Sequence, residues 1–281
     1  MRKCFGLYIL VAMPERKTLD YEIFQVNAFA EGPFQGNPAG VCLLTADRGE
    51  EFYRTTAARM GLSETAFAYK KENGYRLRWF SPNGTEVDLC GHATLATAFI
   101  LYDKGRESRK SRILFFTKSG PLTAEADGKL ICLNFPAEEI FGINGDIYGI
   151  DTALGARSTY TGRTRFDAFI ELDSMDRVIN LKPDFEKLKS LPGRGIIVTA
   201  RSTNRKYDFV SRFFCPKLGV NEDPVTGSAH CALGVYWGHL LRKDSLVGYQ
   251  ASCQGGIVRV GLAKDRVILR GAAVEVPVTQ I

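Results

Sequence analysis

Trp79–Tyr102, WFSPNGTEVDLCGHATLATAFILY, is the stretch from which the fold is read. It runs as strand, turn and then a helix opening at Gly91 and His92. A similar stretch recurs over Arg212–Trp237, RFFCPKLGVNEDPVTGSAHCALGVYW. Each copy carries an aromatic, a small residue and a proline, Phe80-Ser81-Pro82 and Phe214-Cys215-Pro216. Each then carries acids, followed by glycine and a small or polar pair, Gly91-His92-Ala93 and Gly227-Ser228-Ala229. The loop of the second copy is longer by two residues. A helix start leaves backbone N–H groups without intrahelical partners and carries partial positive charge. Glycine at that point lets a ligand come close to the backbone. A single such stretch is an ordinary loop-to-helix junction. Two of them, one per half of the chain, can hold a small anion between them, and ligand pockets favour the seam between related halves.

With 281 residues the chain can bury one large core or two domains of ordinary size. Hydrophobic residues make up 45% and charged residues 24%, both ordinary for a globular protein. The 28 glycines imply many tight turns and hence many strands. Net charge is +6, with basic residues interleaved among acids. That pattern argues against nucleic-acid binding and leaves a mild field that would favour an anionic substrate. The 7 cysteines, Cys4, Cys42, Cys90, Cys132, Cys215, Cys231 and Cys253, are scattered and contain no CxxC pair. They predict a reduced, cytoplasmic protein with neither a disulfide framework nor a zinc site.

Residues 1–20 read as an N-terminal extension. Met1-Arg2-Lys3 precedes an apolar run, Cys4–Met13, that is too short to span a membrane and lacks a small-residue cleavage pattern after it. Tyr21–Asn27 alternates as a strand, and Phe29–Pro38 is a loop rich in glycine and proline. Ala39–Leu44 is a second strand, Glu50–Met60 a helix stopped by Gly61, and Thr65–Lys70 a third strand. An Asn-Gly turn at Asn73-Gly74 leads into Tyr75–Ser81. The first central helix covers about 92–104, with Leu95, Ala96, Phe99 and Ile100 at helical spacing. Its small residues, Ala93, Thr94, Ala96, Thr97 and Ala98, let strands close around it. Ile113–Thr117 is a strand, and Leu122–Ala126 with Leu130–Phe135 forms a hairpin across Asp127-Gly128. Composition loosens over Ala137–Gly155, the predicted junction. Beyond it lie strands near Phe166–Leu172, Gly195–Ala200 and Asp208–Phe213, and short helices over Met175–Leu181 and Phe185–Leu191. The second central helix spans about 227–241, followed by strands at Ile257–Val260, Val267–Leu269 and Val274–Val276. The predicted architecture is α+β: two similar domains, 21–137 and 138–281, each a sheet around one helix. The terminal strand is free to pack with the first domain.

Glu64 sits among apolar residues in Gly61-Leu62-Ser63-Glu64-Thr65-Ala66-Phe67. A carboxyl so placed could have a raised pKa and shuttle a proton near neutrality. It is equally readable as a solvated strand-start residue. His92 at a helix N-terminus is expected to stay neutral and could donate to a substrate oxygen. Asp223 either caps the second helix or faces the cleft to bind an amine or hydroxyl. Ser228 either caps that helix or binds a carboxylate. Cys90 is a thiol base if its pKa falls, and otherwise a small buried hydrophobe. No Walker A, Rossmann fingerprint or metal-spaced cluster is present, so cofactor- and metal-independent chemistry is expected.

Five motifs together resemble the PhzF-like (phenazine biosynthesis protein) family, within the diaminopimelate epimerase-like fold. They are Gln25-Val26-Asn27-Ala28-Phe29, Gly36-Asn37-Pro38-Ala39-Gly40-Val41, Ser63-Glu64-Thr65-Ala66-Phe67, Cys90-Gly91-His92-Ala93-Thr94 and Glu222-Asp223-Pro224-Val225-Thr226-Gly227-Ser228-Ala229. Gln254-Gly255-Gly256 matches less distinctively. The resemblance implies two barrel-like sheets wound round central helices, a cleft between them, a homodimer, and acid/base isomerisation of a small carboxylated substrate without a cofactor. It places the catalytic glutamate on Glu64 and substrate contacts on His92, Asp223 and Ser228, beside Gly91 and Gly227. Related epimerases use two cysteines; here Cys90 stands near one such position and Thr226 at the other, which threonine cannot fill as a thiolate. Three functional readings follow: a glutamate-based isomerase, an epimerase or racemase using Cys90, and a non-catalytic dimer that binds metabolites or a protein.

Overall fold

The two loop-to-helix junctions organise one continuous network of strands around two central helices. The structure is a computed structural model that describes residues 20–143 and 149–278. The expected extension over residues 1–20 lies, Asp20 apart, outside the described residues. In chain order the first half comprises β1 (Tyr21–Ala28), β2 (Asn37–Leu44), α1 (Glu50–Met60), β3 (Thr65–Lys71), β4 (Gly74–Phe80), β5 (Glu86–Val87), α2 (Gly91–Asp103), β6 (Ile113–Thr117), β7 (Gly120–Asp127) and β8 (Leu130–Pro136). A short β9 (Phe141–Gly142) and α3 (Ile150–Leu154) lead into the second half. There follow β10 (Tyr160–Arg163), β11 (Ala168–Glu171), α4 (Met175–Ile179), α5 (Phe185–Ser190), β12 (Ile196–Arg201), β13 (Phe209–Cys215), β14 (Val220–Glu222), α6 (Gly227–Leu241), β15 (Ser245–Gln250), β16 (Gly256–Ala263), β17 (Arg266–Gly271) and β18 (Ala273–Val276).

The pairing plan is the same in both halves. β1/β2 is antiparallel, β2/β3 parallel, β3/β4 and β4/β5 antiparallel, β4/β6 parallel, and β6/β7/β8 antiparallel. The second half repeats this order as β10/β11, β11/β12, β12/β13, β13/β14, β13/β15 and β15/β16/β17. The halves join where β8 and β17 pair antiparallel, Leu133 opposite Leu269. Each half also hands its last strand across: β9 pairs β10, and β18 returns to pair β1.

The central helices are buried on nearly every side, which explains their composition. A helix enclosed by a sheet has no polar face to spare. In α2, residues 92–98 are all buried. In α6 the approach is closer still: a Cβ on Gly234 would sit 2.4 Å from Val260 Cγ1. Leu95, Ala96, Leu133, Leu233, Trp237 and Val260 belong to one core that runs through both halves. Trp237, fully enclosed, donates from Nε1 to Thr199 Oγ1 at 3.0 Å, so its one polar atom is satisfied. The remaining helices cover outer faces: Tyr53 of α1 packs on Phe67 and Phe80, and Leu154, Val178 and Leu188 cover Val198 and Phe214.

Several local readings differ from the sequence: α3, β5, β9, β10 and β14 had no assignment there, and two further differences have a visible cause. The register Lys71↔Gly74 puts Glu72 and Asn73 in the hairpin turn, with Glu72 at φ 51. Gly74 lies inside β4, where a Cβ would meet the Leu114 carbonyl oxygen at 2.4 Å, so it serves close strand approach and not the turn. β15 carried no strand assignment from sequence. Gly248 at its centre interrupts the β-propensity, because the Phe209 ring fills the place of a side chain, 2.5 Å from a would-be Cβ.

Candidate active site

The starts of α2 and α6 meet head to head. A Cβ on Gly91 would lie 3.5 Å from Gly227 Cα, and one on Gly227 would lie 3.5 Å from Gly91 Cα. Phe135 of β8 and Leu269 of β17 pack beside them, 3.7 and 3.6 Å from the same built carbons. Neither helix has a side-chain cap or an acidic residue in its first turn. The outer helices α4 and α5 are capped, by Ser174 and Asp184. The uncapped starts concentrate positive partial charge on one point.

Glu64 reaches this point from the strand side. Its carbonyl oxygen accepts from the Gly40 N–H at 3.0 Å, which ties the residue to the parallel β2/β3 pair. Its side chain is 22% exposed, and Oε2 lies 3.3 Å from His92 Nε2. Burial pushes its carboxyl above the usual glutamate value, against hydrogen bonds from Ser63 and Cys90 and the charge of Arg194. His92 is buried on the first turn of α2. Burial lowers its pKa, opposed by the charge of Asp223. That direction is the one a neutral imidazole requires, with desolvation as its main cause. Ser63 Oγ lies 3.3 Å from His92 Nε2, and Cys90 Sγ lies 3.5 Å from Nδ1. Burial, then the nearby Glu64, pushes the Cys90 thiol well up.

Asp223 approaches from the other half. Its Oδ1 accepts from Asn37 Nδ2 at 2.7 Å and its Oδ2 from Thr226 Oγ1 at 2.6 Å. It does not cap α6, so the capping alternative is set aside. Burial raises its pKa, and the charges it senses are those of His92 and Glu64. Asn37 also donates to the Val225 carbonyl at 2.9 Å, stitching the β1–β2 loop to the α6 loop. Gln250 holds that loop from below: Nε2 donates to the Asp223 carbonyl at 2.7 Å, and Oε1 accepts from the Thr226 N–H at 2.8 Å. Ser228, on the first turn of α6, is no cap either; its Oγ accepts from Arg194 Nη2 at 3.0 Å. The structure thus brings Glu64, His92 and Asp223 together at the meeting helix starts Gly91 and Gly227, with Ser228 joined through Arg194.

Strand register shows which residues correspond between halves. Thr65 opposes Phe80 where β3 begins, and Ile196 opposes Phe214 where β12 begins. Glu64 therefore corresponds to Gly195 and Ser63 to Arg194, while His92 corresponds to Ser228 across the repeated helix starts. Each half places the residue two positions before its strand against the second residue of its central helix: Ser63 on His92, Arg194 on Ser228. No side chain stands opposite Glu64, since a Cβ on Gly195 would lie 2.3 Å from the Phe213 ring. Glu64 thus has no counterpart at the matching position of the second half; the second half's carboxyl in the site is Asp223, from the loop before α6.

Arg194, Asn37 and Gln250 had no assigned role in the sequence reading, although Asn37 lies within a motif quoted there. Among the described residues, Glu64, Cys90 and His92 also form a group whose donor atoms lie within 4.8 Å of one another. No spacing in the sequence showed it. Cys90 Sγ lies 3.5 Å from His92 Nδ1 and 3.9 Å from Nε2, and Glu64 Oε2 lies 3.3 Å from Nε2, so the three side chains are in hydrogen-bonding range of one imidazole.

Opposed helix starts, a carboxyl 3.3 Å from a buried imidazole, and a doubled strand plan define a class of α+β fold with one site at the seam of its two halves. The family model described as phenazine biosynthesis-like protein, PhzC-PhzF, matches residues 26–278, and the chain belongs to that family. Its enzyme class is isomerase. A Halalkalibacterium halodurans protein described as an uncharacterized isomerase is 50% identical over 254 residues, 90% of this chain and 96% of that one. The human phenazine biosynthesis-like domain-containing protein is 37% identical over 278 residues, 89% of this chain and 95% of its own. The crystal structure of a PhzF-family protein from Enterococcus faecalis superposes with a TM-score of 0.86 at 40% identity, covering 92% of this chain and 98% of that one. A hydroxyproline epimerase from Agrobacterium vitis shares the fold alone, with a TM-score of 0.58 at 10% identity over 92% of this chain and 91% of that one. No helix among the described residues is long and apolar enough to cross a membrane.

Proposed function

We propose that the protein moves a proton between two carbons of a small carboxylated substrate, by general acid/base catalysis at Glu64 and without a cofactor. The observation that carries this reading is the position of Glu64: a desolvated carboxyl, 3.3 Å from His92 Nε2, at the seam where two uncapped helix starts meet. A carboxyl with raised pKa is a stronger base once ionised and a usable acid once it has taken a proton. The substrate's carboxylate sits at the helix starts, near Gly91, Gly227 and Ser228. Glu64 takes the C–H proton, the electron pair shifts along the substrate, and the same carboxyl returns a proton at the second carbon. No net proton or electron is gained. His92 donates toward the oxygen that gains charge, and Asp223 orients an amine or hydroxyl.

The lack of a counterpart to Glu64 in the second half, with both oxygens of Asp223 already accepting from Asn37 and Thr226, favours this over a reaction needing one base on each face. Gly195 stands opposite Glu64, and Thr226, opposite Cys90, already spends its hydroxyl proton on Asp223. As part of the same reading, the protein works as a homodimer, and in the cytoplasm, where the free cysteines of the described residues would stay reduced. The test is metabolite profiling of purified protein in heavy water. A small acid gaining deuterium with the native protein and none with Glu64→Gln supports the reading. Undiminished exchange by Glu64→Gln removes Glu64 from the reaction. Ligand binding with no exchange at all would make the protein a binding dimer.

A further inference from the structure

We propose that Arg194 is the carboxylate receptor of this site and fixes which way the substrate lies. This rests on the reading that the helix starts receive a carboxylate, and it names the side chain that selects it. The guanidinium is held in one orientation. Nε and Nη2 donate to the two oxygens of Asp167 at 3.0 and 2.6 Å, and Nη2 also donates to Ser228 Oγ at 3.0 Å. Its backbone N–H is tied to the Phe166 carbonyl at 2.9 Å. The rings of Phe166 and Phe213 lie 5.4 and 5.7 Å from its central carbon. Asp167 is 3% exposed and Arg194 33%, so the pair presents its cationic end outward from a buried anchor. Nη1 donates to no other described residue.

With Nε and both Nη2 hydrogens committed, the Nη1 group of this anchored guanidinium is left to donate to a carboxylate oxygen, beside the Ser228 hydroxyl. The bond from Nη2 also occupies an acceptor position on Ser228 Oγ, which leaves the Ser228 hydroxyl proton as a second donor. The other half shows why this matters. At the corresponding place Ser63 offers only a neutral hydroxyl to His92. The fixed positive charge therefore stands on the α6 side and Glu64 on the α2 side; Asp223, also on the α6 side, has each oxygen occupied by a donor, Asn37 and Thr226. A substrate with its carboxylate on Arg194 and Ser228 turns its reacting carbon toward Glu64; the reverse placement would set the carboxylate beside Ser63 and Glu64, where the hydroxyl partner of His92 supplies no fixed charge. Arg194 thus determines both charge selectivity and orientation.

The experiment is calorimetric titration of benzoate and of its neutral analogue benzamide into Glu64→Gln protein, with and without Arg194→Met. A charge-assisted hydrogen bond lost from the receptor is expected to weaken benzoate about 10- to 100-fold and to leave benzamide unchanged. Arg194→Met leaves Asp167 buried without its partner, so Asp167→Asn combined with Arg194→Met is measured beside it. Arg194→Lys keeps Asp167 paired and is expected to show an intermediate loss. Equal benzoate binding with and without Arg194, or a parallel loss of benzamide, overturns the assignment. Benzoate binding that depends on Arg194 in a protein that exchanges no proton with any acid would defeat the isomerase reading and leave the receptor standing.

Discussion

The meeting of Gly91 and Gly227 can be tested by a double-mutant cycle. Each glycine has room for one methyl: a single added Cβ would lie 3.5 Å from the opposing Cα, an ordinary van der Waals distance. Gly91→Ala and Gly227→Ala are therefore expected to change stability by less than about 1 kcal/mol each, with alanine's better helix propensity offsetting lost packing freedom. Both together place two methyls in a gap that holds one. The helices must then part, and the Phe135 and Leu269 contacts at 3.7 and 3.6 Å loosen with them. The expected coupling is about 1–3 kcal/mol of extra destabilisation beyond the sum of the single changes. Urea denaturation of the four proteins measures it. Additivity within about 0.5 kcal/mol would mean that the helix starts do not touch, and the shared anion site would lose its basis.

Glu64→Gln is expected to lower turnover about 100- to 10,000-fold in a substrate assay. The same change should stabilise the fold near neutral pH. The native carboxyl titrates above the usual 4.5, so its burial penalty is absent at low pH, grows as pH rises past 4.5, and is complete above the folded pKa. Denaturation at a series of pH values should show the variant's advantage vanish in acid. Asn37→Leu removes donors to Asp223 and to the Val225 carbonyl and should cost about 1–3 kcal/mol, with Asp223 titrating still higher because a hydrogen bond that held it down is gone. Cys90→Ala is expected to retain most turnover; a collapse in rate with the fold intact by circular dichroism would favour a thiol mechanism.

Much of the fold was legible because its governing feature is local and repeated. The copies around Gly91 and Gly227 announce themselves by composition and give the start of α6; α1 and α2 end at glycine stops, and α2 also shows helical spacing. β15 was not legible, since Gly248 answers to the Phe209 ring and not to its own segment. The site divides the same way. Glu64, His92, Asp223 and Ser228 lie in motifs that can be quoted. Arg194 becomes meaningful only through Asp167, 27 positions earlier, and Asn37 through Asp223, 186 positions later. The matches of Glu64 with Gly195 and Ser63 with Arg194 need strand register, which no single-chain pattern supplies. The membership of Glu64, Cys90 and His92 in one cluster likewise needs the turn that brings β3 beside the start of α2.

The central claim is that the Glu64 carboxyl is a desolvated proton carrier at the seam. Carbon-13 NMR of protein labelled at glutamate side-chain carboxyls, with Glu64→Gln to assign the resonance, measures its titration directly. The account predicts a midpoint clearly above 4.5, the ordinary glutamate value. A midpoint at or below that value would make Glu64 a solvated or permanently ion-paired residue and contradict the account.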